Sequence, residues 1–344
     1  MGGPVDGRAQ DTGVRIRGTL ILSALLVVAC SSGPPTRAPA ATAFASSTPA
    51  MSAAASPSLA AVPSASSETT VYVGGDRPVA VIVPPGYDPG RPAPLLVLLH
   101  GYGSSGRDHD LYFHVGELAA QRGYLYVHPD GTSDDGGNRF WNATDACCDF
   151  GHKGVDDAGY LAGVITEIQA SFAVDPKRID VIGHSNGGFM SYALSCTHAD
   201  TIAAMVSLAG ATFVKSTDCA PTSPVAVLEI HGTADDTILY EGGTVDLGSG
   251  RPSMAPYPGA QASVATWAKY DGCATSSVVD EHVDVDAHVS VNGSPAESTV
   301  TRWAGCRPGG AAELWTMQGG GHSPDISDAF PSAVLDFFEA HPKP

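Results

Sequence analysis

The stretch that most restricts the fold runs from Ile179 to Ala199. A strand-like run, Ile179 to Ile182, passes directly into Gly183-His184-Ser185-Asn186-Gly187, a G-x-S-x-G, and then into a helical pattern over Gly187 to Ala199. A sharp strand-to-helix turn leaves little room for side chains, which accounts for the glycines, and it lifts the serine hydroxyl off the end of a sheet while helix N–H groups point at whatever the serine attacks. Ser185 is therefore the candidate nucleophile. A glycine-rich turn with an inert serine is the plainer alternative, and the strand and helix on either side argue against it.

The rest of the folded region has the rhythm this turn requires. Strand-like runs cover Val79 to Val83, Leu95 to Leu99, Tyr124 to Val127, Ala204 to Leu208, Val225 to Ile230 and Leu314 to Met317. Several are apolar on both faces, as buried central strands are. Asp157 to Phe172 spaces Tyr160, Leu161, Val164, Ile165, Ile168 and Phe172 along one helical face, with Asp156 as N-cap, and Ala260 to Tyr270 and Ser327 to Ala340 read as further helices. The expected class is α/β, a mostly parallel central sheet flanked by helices. From Val279 to Val291 Val recurs at most odd positions, while Asp280, His282, Asp284, Asp286 and His288 take the even ones, so a single strand with one wet face is expected there. Side chains two apart on that face also suggest cation chelation, but charge alternation alone specifies no coordination geometry, and no metal is expected.

A serine hydroxyl needs a base in contact with it and an acid residue to hold that base in the right tautomer. After Val225 to Ile230 comes His231-Gly232-Thr233-Ala234-Asp235-Asp236, and after Leu314 to Met317 comes Gly319-Gly320-Gly321-His322. Both lie where open α/β sheets carry their sites, beyond the carboxyl ends of strands. Asp235 and His322 complete the order Ser, Asp, His, with Asp236 the alternative acid. His100-Gly101-Tyr102-Gly103 follows Leu95 to Leu99, and the backbone amides of Tyr102 and Asn186 are the candidate oxyanion donors.

Together with Trp141-Asn142-Ala143-Thr144-Asp145-Ala146-Cys147-Cys148-Asp149, these ordered motifs resemble the polyhydroxybutyrate depolymerase and feruloyl esterase group of the α/β-hydrolases, from Thr69 to the C-terminus. The resemblance implies a carboxylic ester hydrolase with Ser185, Asp235 and His322 as its triad and no cofactor. Two departures bear on substrate. Ser323-Pro324-Asp325 stands where many members carry an aromatic segment after the histidine, and no polymer-binding module is evident. Tyr102, Trp141 and His184 are the candidate substrate contacts, Trp141 having packing in the core as its alternative. The rival readings are a serine peptidase of the prolyl-oligopeptidase type, against which the lack of a propeller-like repeat array speaks, and an inactive hydrolase-fold binding lipoprotein.

The N-terminus carries an address. Arg8, Arg15 and Arg17 precede an uncharged run from Gly18 to Ala29 that is too short to span a bilayer, so residues 1–29 read as a signal peptide. Val27-Val28-Ala29-Cys30 resembles a bacterial lipobox, which implies lipid on Cys30 and membrane contact through that anchor alone. Apart from Arg37, Phe44, Met51, Leu59 and Val62, every residue from Ser31 to Ser66 is Ala, Ser, Pro, Thr or Gly. Residues 30–68 thus read as a disordered tether, and 69–344 as the catalytic domain. The formal charge of -18 is the wrong sign for nucleic acid. No obligate protein partner is evident. Setting Cys30 aside, six cysteines remain, as in oxidised proteins outside the cytoplasm. Proximity favours Cys196 with Cys219 and Cys273 with Cys306, leaving Cys147 and Cys148 as a vicinal bridge or as thiols.

Overall fold

The computed structural model describes residues 70–245 and 255–344, so the signal, Cys30 and the tether lie outside the described residues. Its apolar runs become the strands Ala93–Leu99 (β1), Leu125–Val127 (β2), Val174–His184 (β3), Ala204–Leu208 (β4), Ala226–Gly232 (β5), Thr275–Val283 (β6), Ser298–Ala304 (β7) and Ala311–Met317 (β8). They form one eight-stranded sheet in the order β6-β7-β8-β5-β4-β3-β1-β2. From β8 to β2 every neighbouring pair is parallel, while β6 and β7 extend one edge as antiparallel pairs. This is the expected α/β sheet.

Alternation along a strand buried on both sides builds two cores. On β1, Leu95, Val97 and Leu99 face Leu161, Val164 and Ile168 of helix Asp157–Ser171, whereas Leu96 and Leu98 face the opposite layer with Val334, Leu335 and Phe338 of Phe330–Ala340. All five β1 residues have no exposed surface. The described helices are α1 (Gly106–Phe113), α2 (Val115–Gln121), α3 (Asp157–Ser171), α4 (Asn186–Thr197), α5 (Ala260–Tyr270) and α6 (Phe330–Ala340). Asp156 caps α3 by accepting the N–H of Gly159 at 2.8 Å. Among the described residues, no helix is long and apolar enough to cross a membrane.

Four features depart from the expectation, the first being that Val79 to Val83 yields only the two-residue strand Val79–Ala80, paired with Tyr72–Val73 outside this sheet. Helices α1 and α2 arise from a segment whose polar residues hide the period; Ser105 caps α1 by accepting the N–H of Asp108 at 3.1 Å. Strand β7 was not anticipated. And β6 stops at Val283 instead of continuing to Val291, because the buried Glu297 carboxylate takes the N–H groups of Val285 and Asp286, each at 3.3 Å, while Ser327 donates to the Asp284 carbonyl at 2.7 Å. These bonds replace a sheet ladder. Among the described residues, no cluster of three or more His, Cys, Asp or Glu could hold a metal. Disulfides join Cys196 to Cys219, Cys273 to Cys306 and Cys147 to Cys148.

Candidate active site

The turn from β3 to α4 works because main chain meets main chain. A Cβ on Gly183 would lie 2.1 Å from the Gly187 carbonyl oxygen, and one on Gly187 would lie 2.1 Å from that of Leu99. Ser185 sits between them at φ 54° and ψ -119°, a conformation that strains a residue with a side chain by about 1–3 kcal/mol. Its N–H donates to the Leu208 carbonyl at 2.8 Å and its carbonyl accepts from Phe189 at 3.0 Å, so the strain is held from both sides.

Two loops bring partners to Ser185. His322, just beyond β8, places Nε2 3.0 Å from the Ser185 Oγ and Nδ1 2.9 Å from Asp235 Oδ2. With a carboxylate accepting at Nδ1, that nitrogen carries the proton and Nε2 is free to accept. Asp235 follows β5 and is only 5% exposed. Its Oδ1 accepts the N–H groups of Thr237 at 2.9 Å and Ile238 at 2.8 Å, which turns Oδ2 toward His322. Burial opposes the Asp235 charge, but hydrogen bonds from His231 and His322 outweigh it and hold the carboxyl well below the usual carboxylate range. Asp236 is exposed and, among the described residues, accepts a hydrogen bond only from Thr237.

The loop after β1 is fixed by its backbone. His100 Nε2 accepts the Gly131 N–H at 2.9 Å, so Nδ1–H donates to Gly101 O at 2.8 Å, and Gly103 N–H donates to Arg139 O at 2.8 Å. Between these anchors, the Tyr102 N–H has no acceptor among the described residues, nor has the Asn186 N–H at the start of α4. The Tyr102 phenol, 36% exposed, donates to Asp134 and meets Phe150 edge-on at 5.1 Å. Burial and the Asp134 carboxylate push its pKa up to about 12, which suits a wall of the site rather than an acid.

Of the expected substrate contacts, Trp141 is corrected, while His184 stays at the edge of the site. Trp141 has no exposed surface; its ring N–H donates to His100 O at 3.0 Å. Its backbone is held by the Asn186 side chain, which accepts Trp141 N–H at 2.7 Å and donates to Trp141 O at 2.9 Å. It braces the two donor loops and cannot touch substrate. His184 is 6% exposed and stacks between His109 and His322, with ring centroids at 5.3 and 5.0 Å. Its Nε2 bonds to the His322 carbonyl at 2.9 Å and its Nδ1 lies 3.1 Å from His109 Nε2, so both ring nitrogens are engaged within the protein. Burial, then the His322 and His109 rings, lower its pKa well below the ordinary value and keep it neutral. A cavity of about 200 Å³ beside the triad is lined by Ser104, Asp108, His109, Tyr112, His184 and Ser323.

His109, Glu229 and His231 join the site although no motif assigns them a role. The available signal was a carboxylate set inside an otherwise apolar central strand.

Fold and site together give an α/β-hydrolase fold carrying the geometry of a Ser-His-Asp triad. A model of the prolyl oligopeptidase family matches residues 110–243. Feruloyl esterase B of Piromyces equi is 30% identical over 254 residues, covering 72% of this chain and 42% of that protein, so the chain spans about two fifths of its length. Feruloyl esterase D of Neurospora crassa is 24% identical over 272 residues, 76% of this chain and 78% of that one. The acetyl xylan esterase structure from Aspergillus awamori superposes with a TM-score of 0.54 at 15% identity, over 79% of this chain and 99% of that chain, a likeness of fold. The chain thus has the α/β-hydrolase fold and is similar in sequence to proteins named as feruloyl esterases.

Proposed function

We propose that the chain is a serine hydrolase of carboxylic esters. The observation that carries the reading is the line from Ser185 Oγ through His322, at 3.0 Å, to Asp235, at 2.9 Å. Ser185 attacks the ester carbonyl as its proton passes to His322 Nε2, and Asp235 holds the imidazolium that forms. The tetrahedral oxyanion accepts from the Tyr102 and Asn186 N–H groups, each contributing about 3 kcal/mol to transition-state stabilisation. His322 returns the proton to the leaving alkoxide, and the acyl-enzyme is then cleaved by a water that His322 deprotonates. Relatives named as feruloyl esterases, and one named as an acetylxylan esterase/xylanase, favour feruloyl- or acetyl-type esters, with short hydroxyalkanoate esters as the other class.

A fluorophosphonate probe is expected to label wild type and not Ser185→Ala, and Ser185→Ala is expected to lower kcat by about 10⁵-fold or more with the fold retained. An unlabelled wild type would favour the binding-lipoprotein reading. The prolyl oligopeptidase match supports a second reading, a peptidase. A panel of p-nitrophenyl esters, methyl ferulate, hydroxybutyrate oligomers and peptide anilides separates the two, since cleavage of the anilides alone overturns the esterase.

The same reading takes residues 1–29 as an export signal, Cys30 as the lipidated residue, 30–68 as a tether and 69–344 as the catalytic domain. Three disulfides favour an oxidising, extracytoplasmic setting. Mass measurement of the membrane-bound protein checks the lipid on Cys30.

A further inference from the structure

Directly under the triad lies a second histidine whose surroundings fix its charge. His231 at the end of β5 is 1% exposed, and both ring nitrogens face oxygen: Nδ1 lies 2.9 Å from Glu229 Oε1 and Nε2 lies 2.7 Å from the Ile238 carbonyl. A carbonyl oxygen can only accept, so Nε2 carries a proton. The Glu229 oxygens already accept from Gly210 N–H at 3.2 Å and from Tyr192 O–H at 3.1 Å, an arrangement made for a carboxylate, so Nδ1 must carry a proton as well. Asp235 Oδ2, the oxygen that holds His322, is 3.4 Å from His231 Nε2.

We propose that His231 is a permanently protonated imidazolium, a positioning residue that bridges buried Glu229 to Asp235 and keeps the triad carboxylate ionised and turned toward His322. The groups facing it are Glu229 on its own strand, Asp235 and Tyr240 from the following loop, Tyr192 of α4 across Glu229, and His322 beyond Asp235; the Tyr240 ring meets it edge-on at 5.8 Å. Tyr240 in turn is held by Thr316 of β8 through a 2.9 Å hydroxyl bond. Burial alone would neutralise His231, but its hydrogen bonds to Asp235 and Glu229 overcome it and push its pKa up to about 10. Burial raises the Glu229 carboxyl, against the bond from His231. Two buried anions on one buried cation leave a net negative site, which suits a triad that must stabilise a second imidazolium, on His322, during attack.

The positioning role rests on the proposed ester hydrolysis, whereas the charge does not, and the tests keep them apart. Nitrogen-15 spectra of the full chain labelled at histidine, recorded from about pH 6 to about pH 9, are expected to show one ring with both nitrogens protonated and no titration, where an ordinary histidine titrates near 6.5. That signal should vanish in His231→Gln. In Glu229→Gln, which keeps the side-chain shape, the ring should lose its proton within the range. A neutral His231 in wild type overturns the proposal whatever the activity. In active enzyme, His231→Gln should move the acid limb of the kcat/KM profile up by about 1 pH unit, because a cation beside Asp235 and His322 disfavours protonating them. A fall in kcat with an unmoved acid limb overturns the positioning role and leaves only a packing one. Absence of any ester cleavage with the imidazolium signal intact overturns the ester reading alone.

Discussion

At the carboxyl ends of β1, β3, β5 and β8, short loops place polar groups with main-chain bonds, and every residue of β1 and β5 is buried. At the opposite edge, β6 and β7 pair antiparallel, carry partly exposed residues, and end where a single buried carboxylate, Glu297, captures two N–H groups. The first region holds its geometry by main-chain packing that many residues share. The second depends at its end on a few side chains, so it should yield to single changes that leave the chemistry intact.

The sharpest break of that contrast is in the core beneath the site. Leu96→Ala should destabilise the protein by about 2–5 kcal/mol, whereas Val279→Ala, half-buried on β6, should remain below about 1 kcal/mol; urea midpoints compare them, and equal losses would erase the distinction. Acid comes next. Because the Asp235 carboxyl is depressed in the folded state, its contribution to stability is complete above its unfolded value of about 3.9 and drains away as pH falls through the folded one. Wild type should therefore lose more stability than Asp235→Asn between about pH 4.5 and pH 2, by about 2 kcal/mol, as read from denaturant midpoints at each pH. Smallest is Glu297→Gln, expected to cost about 1–2 kcal/mol, to raise hydrogen exchange at Val285 and Asp286, and to leave ester turnover unchanged.

What the sequence disclosed follows the same division. Ser185, Asp235 and His322 were readable because each stands directly after an apolar strand, and strand ends are where an α/β sheet presents groups. The sheet itself was readable from runs such as Leu95 to Leu99. Trp141 was misjudged as a substrate contact because a polar tip in a motif looks alike whether it faces solvent or a neighbouring loop; only packing reveals that the Trp141 indole ends on the His100 carbonyl. The end of β6 was hidden for another reason. Period-two alternation continues past Val283, and the residue that overrides it, Glu297, lies 12 positions from Val285. Helix α1 was obscured by its own polarity, since Gly106-Arg107-Asp108-His109-Asp110 shows little apolar stripe.

The close approach of Gly187 to Leu99 has a further bearing. The hydroxyl on one loop and the amide donor on another are registered through two touching backbones, with no rotatable side chain between them. Warming or a poorly fitting acyl group therefore shifts the attacking oxygen and its anion receptor as a unit. Even one methyl group at 187 would drive the two apart, whatever becomes of the three side chains that pass the proton.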